Sequence, residues 1–559
     1  MGSGCRIVAS SKEYGGYSRD GALAALLALA SAAVVVWQNA RLAILWDVSY
    51  VLENAARIAA GDVPYRDFPF PYAPLTFVVQ AAIVRLFGRV YWHHILYAAL
   101  ACGAATALTY VIVRRFVPRA TAFFLTLPLA LLGIYCILPH PFYDPDACLA
   151  VVALIALILS GRGAQGAGRR WWSSREHHLR PVAIGALCIL PLFIKQNIGL
   201  AFVGALVVLL IAERRWRMLA GLAAGAAIAL ALVAAIFGIG NYATWTLSFA
   251  AARRLPPLSM MLDVYSDPVV WWGIAIIIVA IIAERLRPLL IVPWLFILVR
   301  FFISDDPNER EIDLLRLWPL LLVVAALVAL AVWRREEPLL RAVPLLVVAT
   351  VHGTFLSQAT WGSTYGIWPL LVILLAFVFR VAKAPPVLAA IAAAIMLLSA
   401  AHYLRIEGRL LYAKWDEGAM RTSSLPPLRG LRMRGEWLPE FEELVRWTDA
   451  HVPRGDGILC LPGEDLFYFA TGRRPRFPVV MFDRTINPYS PAEIAAIAKA
   501  RHVRWVIVKR RLQLNGMPYP ELGDTIHLLS ARYQPVVFLR NYVVWIEQDA
   551  SLNRLLTGS

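Results

Sequence analysis

The chain has 559 residues, of which 59% are hydrophobic and 16% are charged, and its formal net charge is +17. A soluble domain of this size does not carry such a composition, so the sequence predicts a polytopic α-helical membrane protein. The basic residues fall in short clusters between apolar runs, which argues against a nucleic-acid partner. The six cysteines form no CxxC pair and imply neither a disulfide framework nor a cysteine-rich metal site.

Thirteen apolar runs are long enough to cross, or nearly cross, about 30 Å of hydrocarbon. In chain order they occupy approximately residues 21–37, 91–113, 120–138, 147–160, 181–194, 197–212, 218–237, 269–283, 288–303, 314–333, 342–359, 366–379 and 387–403. The first run is interpreted as an uncleaved span, because no small-residue cleavage site followed by a soluble sequence comes after it. The sequence therefore predicts about 13 transmembrane helices in a domain of residues 1–403.

The distribution of basic residues predicts the topology. A further run at 72–87 is interpreted as an interfacial or re-entrant helix, because counting it as a span would move every later basic cluster to the opposite side. With this run left out, 21 Lys and Arg residues lie on the side of the N-terminus and 4 lie in the opposite short loops. The positive-inside rule then predicts a cytoplasmic N-terminus and an external C-terminus.

The long first loop, residues 38–90, puts polar side chains next to the membrane. After Trp46 and Asp47, apolar residues recur at helical spacing as far as Gly61, which predicts an amphipathic helix at the interface. The segment 64–68 is polar, and the prolines that follow it restrict the backbone. We expect a stiff external loop held over a substrate.

Residues 404–559 are predicted to form a separate, external α/β domain. The expected elements are strands at 457–461 and 504–508, helices at 464–472 and 491–500, and a terminal strand pair at 536–539 and 542–546. A glycine-rich phosphate loop is absent from this sequence. Its clustered charges are interpreted as a solvated helix end: Glu464, Asp465, Arg473 and Arg474.

Carboxylates in two predicted external loops are candidate catalytic groups. Asp47 is either a functional carboxylate beside the first span or a solvated residue that caps the helix beginning near Val48. Asp144 and Asp146, with His140 nearby, could bind a divalent metal or act as a base. Alternatively, the two aspartates cap a turn and the next span.

Cationic residues in the external loops are candidate phosphate ligands. Lys195 follows a short apolar run and is therefore expected below the outer surface, facing protein or a cavity, where it needs an anion such as a lipid phosphate. Snorkelling to the interface is the alternative. Arg253 and Arg254 either bind phosphate or form an ordinary solvated pair, and Arg66 with Asp67 either orients the loop or faces a ligand.

Together, outward-facing carboxylates beside a lysine suit the attack of an acceptor hydroxyl on a sugar carried by a lipid phosphate. A carboxylate removes the hydroxyl proton, and cations stabilise the departing phosphate. The membrane orients a lipid-linked donor.

The sequence resembles the GT-C superfamily of membrane glycosyltransferases, which includes protein O-mannosyltransferases and the lipid A aminoarabinose transferase. Its motifs are similar in order and topology to theirs: Trp46-Asp47, Gly61–Phe68, Tyr72–Leu75, Leu86–Gly88, Asp146 opening the fourth span, Lys195-Gln196-Asn197, Leu461–Asp465, Tyr468 and Thr471–Arg473.

This resemblance implies a polyprenyl-phosphate sugar donor, Asp47 as the general base, Asp146 or Asp144 as a second acidic residue, and Lys195 near the donor phosphate. The further candidate substrate-binding residues are Tyr65, Arg66, Asp67, His140, Arg253 and Arg254. The expected acceptor is a periplasmic glycan, lipid or protein, and the expected location is a bacterial inner membrane. The reaction is either metal-independent or assisted by Mg²⁺ or Mn²⁺, and inversion is expected at the sugar.

Two other functions compete with this interpretation. A transporter or flippase for a lipid-linked glycan would show polar residues at mid-span and two related halves, and the sequence shows neither. A non-catalytic assembly protein would use the C-terminal domain as its working part, but that domain lacks a recognisable catalytic constellation.

Overall fold

The computed structural model describes residues 7–40, 45–160, 176–255, 257–259, 265–266, 268–303, 320–333, 338–355, 366–406, 418–512 and 522–548. Parts of two predicted spans lie outside these residues, at 314–319 and 356–359, and so does the segment 407–417 at the start of the predicted C-terminal domain.

The first ten helices surround the candidate residues. They are α1 (Ile7–Asn39), α2 (Leu45–Ala59), α3 (Leu75–Phe87), α4 (Tyr91–Val113), α5 (Arg119–Thr126), α6 (Leu129–Leu132), α7 (Tyr143–Ser160), α8 (Glu176–Leu187), α9 (Gln196–Ala212) and α10 (Trp216–Ile236). The helices that follow are Ile239–Ala243, Ala250–Arg254, Pro268–Ile282, Val292–Ile303, Leu320–Ala331, Pro338–Phe355, Trp368–Ala382 and Pro386–Ile406.

Four of the described helices have the length and apolar composition needed to cross a membrane: Ser18–Asn39 within α1, α4, α7 and α10. Nine further apolar helices of 10–17 residues accompany them in the described part of the chain. Two predicted spans are interrupted, because Pro128 opens α6 and Pro191 lies in a 3₁₀ turn at Leu190–Phe193. The predicted fold class, a polytopic helical membrane protein with a small strand-containing C-terminal region, is confirmed.

The helix predicted in the first loop is α2, and it is buried on its polar face as well as its apolar one, since Ser49, Glu53, Asn54 and Arg57 are all buried. The neighbouring run 72–87 forms α3, whose 13 residues span about 20 Å at 1.5 Å per residue. That length is short of the ~30 Å of hydrocarbon that a spanning helix must cross. α3 packs against α2.

The C-terminal region, residues 418–548, contains two sheets. Its strands are β1 (Met420–Thr422), β2 (Arg432–Arg434), β3 (Gly457–Leu461), β4 (Val503–Lys509), β5 (Tyr533–Phe538) and β6 (Tyr542–Glu547). β1 and β2 pair antiparallel, and the larger sheet has the order β3-β4-β6-β5, in which β3 and β4 are parallel and the other pairs antiparallel. Its helices are Trp437–His451, Phe467–Thr471, Pro491–Ala500 and Leu522–Ser530.

The strands β3, β4 and β6 and the helix Pro491–Ala500 lie where the sequence predicts them. β5 begins three residues before its predicted start, β1 and β2 were not predicted, and the predicted helix 464–472 is shorter and covers Phe467–Thr471. The interpretation of this stretch as a solvated helix end is wrong for two residues. Glu464 is 1% exposed and Arg473 is 7% exposed, because this part of the C-terminal region packs against α2.

Candidate functional site

A buried ion pair joins the starts of α7 and α9. The Nζ atom of Lys195 lies 3.3 Å from Oδ1 and 3.4 Å from Oδ2 of Asp144. The two side chains are 6% and 2% exposed, so the alternative that Lys195 snorkels to the surface is wrong. The ammonium also lies 4.2 Å from the ring centroid of Tyr143 and 5.7 Å from that of Tyr72, within cation–π distance. The anion that Lys195 meets in the structure is thus a protein carboxylate.

Asp146 lies one half-turn further along α7 in a ring of hydroxyl donors. Its Oδ1 accepts hydrogen bonds from Tyr135 at 2.6 Å and Tyr97 at 2.7 Å, and its Oδ2 accepts one from Thr76 at 2.8 Å. Thr76 belongs to α3 and Tyr97 to α4, so this carboxylate ties three helices together. Such bonds offset the cost of burying a carboxylate. We name as the buried cluster Asp144, Asp146, Lys195 and the side chains that contact them: Tyr72, Thr76, Tyr97, Tyr135 and Tyr143.

The first loop reaches the buried cluster through packed aromatic rings. The ring centroids of Tyr50 and Tyr72 are 5.2 Å apart, and those of Tyr72 and Tyr143 are 4.4 Å apart. Gln196 fixes the same loop, because its side chain donates to the Pro71 carbonyl at 3.0 Å and accepts from the Ala73 amide at 3.3 Å. Lys195 therefore supplies the buried positive charge, and the next residue, Gln196, fixes the first loop beside it.

Tyr65 is an anchor of this loop. Its φ of 67° is unusual for a residue with a Cβ atom, and its hydroxyl donates to the Tyr72 carbonyl at 2.6 Å. The ring packs edge-on against Phe237 and Tyr242 and is 3% exposed, and burial raises the pKa of the phenol. The candidate substrate ligand Tyr65 thus uses its hydroxyl and its ring for contacts within the protein.

Asp47 lies in the first turn of α2 and is partly buried. Because α2 already begins at Leu45, Asp47 is inside the helix and does not cap one that begins near Val48. Two residues further on, the Ser49 hydroxyl lies 3.0 Å from the Gly463 carbonyl and 2.9 Å from the Asp465 carbonyl. The C-terminal region therefore holds the turn of helix that carries Asp47.

A buried network of ion pairs and hydrogen bonds stabilises the segment that Ser49 contacts. Lys509 forms ion pairs with Glu464 and with Asp465, the latter at 2.7 Å. The carboxylate of Asp465 also accepts hydrogen bonds from the indole of Trp437 at 2.9 Å and from the hydroxyl of Tyr542 at 3.0 Å. Sequence reasoning missed this network. The available signal was Lys509, a lysine that directly continues the apolar run of β4.

Two further groups hold α2 against the C-terminal region. Glu53 is 2% exposed and accepts a hydrogen bond from the Phe469 amide at 3.1 Å, and burial raises the pKa of its carboxyl well above the ordinary value. Arg57 pairs with Asp62 at 2.6 Å and donates to the Pro478 carbonyl at 2.5 Å. Burial lowers the pKa of the Arg57 guanidinium, although Asp62 opposes that change.

His140 is 1% exposed, and burial lowers the pKa of its imidazole to about 4. Its Nδ1 lies 3.3 Å from the Pro141 carbonyl oxygen, and its ring packs edge-on against Phe142. Within the described residues no hydrogen bond joins His140 to Asp144 or Asp146. His140 is therefore close to these aspartates in sequence but is hydrogen-bonded to neither of them.

Arg66 and Asp67 face an open cleft of about 890 Å³ between the first loop and the C-terminal region. The predicted salt bridge between them is present, with Nε–Oδ1 and Nη2–Oδ2 distances of 2.9 and 3.0 Å. It lowers the pKa of Asp67. We name this space the arginine cleft, after six residues that line it: Arg57, Arg66, Arg454, Arg474, Arg476 and Arg501.

The two remaining candidates lie on the helix Ala250–Arg254. Arg253 is exposed and donates to the Arg484 carbonyl at 3.0 Å, so it contacts the C-terminal region. The side chain of Arg254 lies outside the described residues.

The predicted carboxylate ligands do not form a metal site. In the described part of the chain, no three His, Cys, Asp or Glu side chains are grouped so that they could hold a metal ion. Asp144 is engaged by Lys195 and Asp146 by three hydroxyls, so this donor set does not fit Mg²⁺ or Mn²⁺.

Part of the chain matches a known protein family. Residues 70–238, under a third of the chain, match the family described as dolichyl-phosphate-mannose-protein mannosyltransferase. Over these residues the chain is similar to a family of membrane glycosyltransferases, the class that the sequence resemblance predicts. The matched segment contains the whole buried cluster, whereas Asp47 precedes it.

Several solved structures are similar to this chain. ArnT from Cupriavidus metallidurans, bound to undecaprenyl phosphate, is 15% identical with a TM-score of 0.45, and the match covers 96% of this chain and 98% of that one. The Archaeoglobus fulgidus oligosaccharyltransferase AglB, in complex with an inhibitory peptide and a dolichol-phosphate, is 11% identical with a TM-score of 0.48, covering 87% and 69%. Mycobacterial arabinofuranosyltransferase AftD is 12% identical with a TM-score of 0.38, covering 94% and 40%. No curated protein matches the sequence.

Proposed function

We propose that the protein is a membrane glycosyltransferase that moves a sugar from a polyprenyl-phosphate carrier to a hydroxyl of a glycan, lipid or protein acceptor. The main support for the proposal is that the segment matched by the family contains the buried cluster. The matched family is described by a dolichyl-phosphate-linked sugar donor, and residues 70–238 contain the Lys195–Asp144 pair. A lysine that is buried beside a carboxylate keeps its positive charge, which a lipid phosphate requires of its ligand.

In the proposed reaction Asp47 is the general base. The acceptor oxygen attacks the anomeric carbon while the acceptor proton passes to the Asp47 carboxylate. The bond between the anomeric carbon and the phosphate oxygen breaks, and its electron pair remains on the phosphate. A single displacement of this kind inverts the anomeric centre, and its products are the glycoside and the polyprenyl phosphate.

Lys195 is assigned to the departing phosphate. An ammonium has three N–H donors, and Asp144 approaches one side of the Lys195 ammonium through both carboxylate oxygens. Asp144 thus holds Lys195 in place and charged, and charge developing on the phosphate is stabilised by that lysine. Asp146 is assigned a positioning role, because its bonds to Thr76 and Tyr97 fix α3 and α4 around the pair.

The proposal places the reaction on the external side of a bacterial inner membrane, with the N-terminus in the cytoplasm. Residues 1–403 form the membrane domain, and residues 404–559 form an external domain that covers the first loop. This arrangement is supported by the positive-inside pattern of the loops and by the contacts of Ser49, Glu53 and Arg57 with the C-terminal region.

The test is transfer from a panel of radiolabelled polyprenyl-phosphate sugars into membrane acceptors. We compare the wild type with Asp47→Asn and with Glu436→Gln, a control in which the replaced side chain is 48% exposed. Asp47→Asn is expected to slow transfer by at least about 10²-fold, since it removes a general base. Glu436→Gln should leave transfer unchanged, and both variants should insert and melt like the wild type.

Two outcomes contradict parts of the proposal. Transfer that persists in Asp47→Asn moves the base to Asp144 or Asp146. If the folded wild type transfers no sugar from any polyprenyl-phosphate donor, the proposed donor class is wrong.

A further inference from the structure

The arginine cleft has an excess of positive charge. Six arginines line it against three aspartates, Asp62, Asp67 and Asp456. Its volume is about 890 Å³, far larger than a single ion needs, and it opens to solvent.

The three aspartates are already engaged. Asp62 pairs with Arg57 and Arg474, and Asp67 pairs with Arg66. Asp456 accepts from the Trp505 indole at 2.9 Å and lies 3.7 Å from Arg504, and neither of these residues lines the cleft.

The remaining arginines therefore carry charge that no lining carboxylate neutralises. Arg476 donates to the Gly455 carbonyl, and Arg454 pairs at 3.1 Å with Asp449, which lies outside the cleft. In the described part of the chain no carboxylate pairs with Arg476 or Arg501, and both are exposed. Guanidinium groups match carboxylate and phosphate groups in geometry as well as in charge.

The position of the cleft sets the size of the ligand. Arg57 lies ten residues after Asp47 in α2, which corresponds to about 15 Å along the helix axis. A ligand that fills the cleft and reaches Asp47 must therefore be an oligomer. A single sugar cannot do both.

We propose that the arginine cleft binds an anionic oligosaccharide, with carboxylate or phosphate groups along its chain, and that this oligosaccharide is the acceptor. Binding in the cleft is independent of the proposed transfer, whereas the role as acceptor rests on it. The anionic groups lie among Arg454, Arg476 and Arg501, and a hydroxyl further along the chain reaches Asp47.

The experiment measures binding to the full-length protein in neutral detergent. The probes are a galacturonate heptamer, a glycerol-phosphate oligomer of similar length, and maltoheptaose as the neutral control, each titrated at several salt concentrations. The test variant is Arg454→Gln/Arg476→Gln/Arg501→Gln. The matched control is Arg432→Gln/Arg434→Gln/Arg540→Gln, which removes the same charge from exposed arginines of the C-terminal region outside the cleft.

At least one anionic probe is expected to bind more tightly than maltoheptaose, with an affinity that falls as salt rises. The cleft variant should weaken that binding by at least about tenfold, and the control variant by less than about twofold. Which anionic probe binds distinguishes a carboxylate-bearing from a phosphate-bearing acceptor.

Equal binding of all three probes overturns the inference, and so does an equal loss in the two triple variants. The transfer assay is read separately. If the wild type binds the anionic probe but transfers no sugar from any donor, the proposed function fails while the binding site stands. If it transfers sugar without binding either anionic probe, the cleft inference alone fails.

Discussion

The buried cluster and the arginine cleft both contact the first loop, but their charged groups differ in burial and in pairing. In the buried cluster, Lys195 forms an ion pair with Asp144, and Asp146 accepts hydrogen bonds from three hydroxyl groups. These side chains lie almost entirely inside the protein. In the arginine cleft, arginines outnumber carboxylates by six to three, and all of these arginines except Arg57 are exposed to water. A site whose charged groups are already paired and hydrogen-bonded within the protein is preorganised for one geometry. A solvated site with excess charge attracts ligands of many shapes. The comparison indicates that chemistry belongs to the first region and acceptor capture to the second.

The largest contrast between the two regions is expected when one cation is removed from each. Lys195→Met leaves Asp144 buried beside no cation and should lower the free energy of unfolding by about 3–5 kcal/mol. Arg476→Gln in the cleft should change it by no more than about 0.5 kcal/mol. Both values can be measured by denaturation with sodium dodecyl sulfate in mixed micelles.

A double variant sharpens this result. Lys195→Met/Asp144→Leu removes both charges and should recover most of the lost stability, while transfer stays absent. If the double variant is no more stable than Lys195→Met, the cost is not that of an unpaired Asp144.

A second, smaller effect is expected for the hydroxyls around Asp146. Tyr135→Phe removes a donor to a carboxylate and should cost about 1.5–3 kcal/mol of unfolding free energy. Tyr533→Phe is the matched control, because the Tyr533 hydroxyl donates at 2.7 Å to a neutral carbonyl, that of Val503. Its cost should be about 0.5–1.5 kcal/mol. Equal costs in the same denaturation assay would indicate that Asp146 is not charged in the folded protein.

The smallest predicted effect concerns pH and the interface beside the cleft. Burial raises the pKa of Glu53 above its value in the unfolded chain, so the folded state binds the proton more tightly. The stability that this provides is present at low pH and is lost as pH rises through the folded pKa. From pH 5 to 6 the unfolding free energy of the wild type should therefore fall relative to that of Glu53→Gln, by at most about 1.4 kcal/mol.

Glutamine keeps an oxygen that can accept from the Phe469 amide, so Glu53→Gln isolates the charge. Glu436→Gln, at an exposed position, should keep the slope of the wild type. A slope that is the same in Glu53→Gln and in the wild type would assign the pH dependence to another group.

Local pattern was sufficient to predict much of this molecule. The apolar runs predicted the helices, and the spacing of apolar residues after Asp47 predicted α2. The shortness of the run before Lys195 predicted that this lysine is buried, as the structure shows. These properties depend on neighbours in sequence, which determine hydrophobic periodicity and length.

Contacts between distant residues could not be predicted in the same way. Asp144 and Lys195 were both candidates, but nothing in the sequence pairs two residues that are 51 positions apart. Arg473 looked solvated because its partners, the carbonyls of Thr448, Val452 and Pro453, belong to the end of another helix and the turn after it. The arginine cleft was missed for the same reason, since Arg66 belongs to the first loop and Arg476 to a segment more than 400 residues later.

The Ser49 contact has a consequence for how the protein is made. Ser49 and Gly463 are 414 residues apart, and at 5–20 residues per second the ribosome needs about 20–80 s to synthesise the chain between them. During that interval α2 has emerged without the surface that covers its polar face, and Glu53 and Arg57 lack their backbone partners in the C-terminal region. The first loop is thus among the earliest segments translated and among the last to be completed. A chain that ends before residue 463 therefore lacks the contact that supports the proposed catalytic turn.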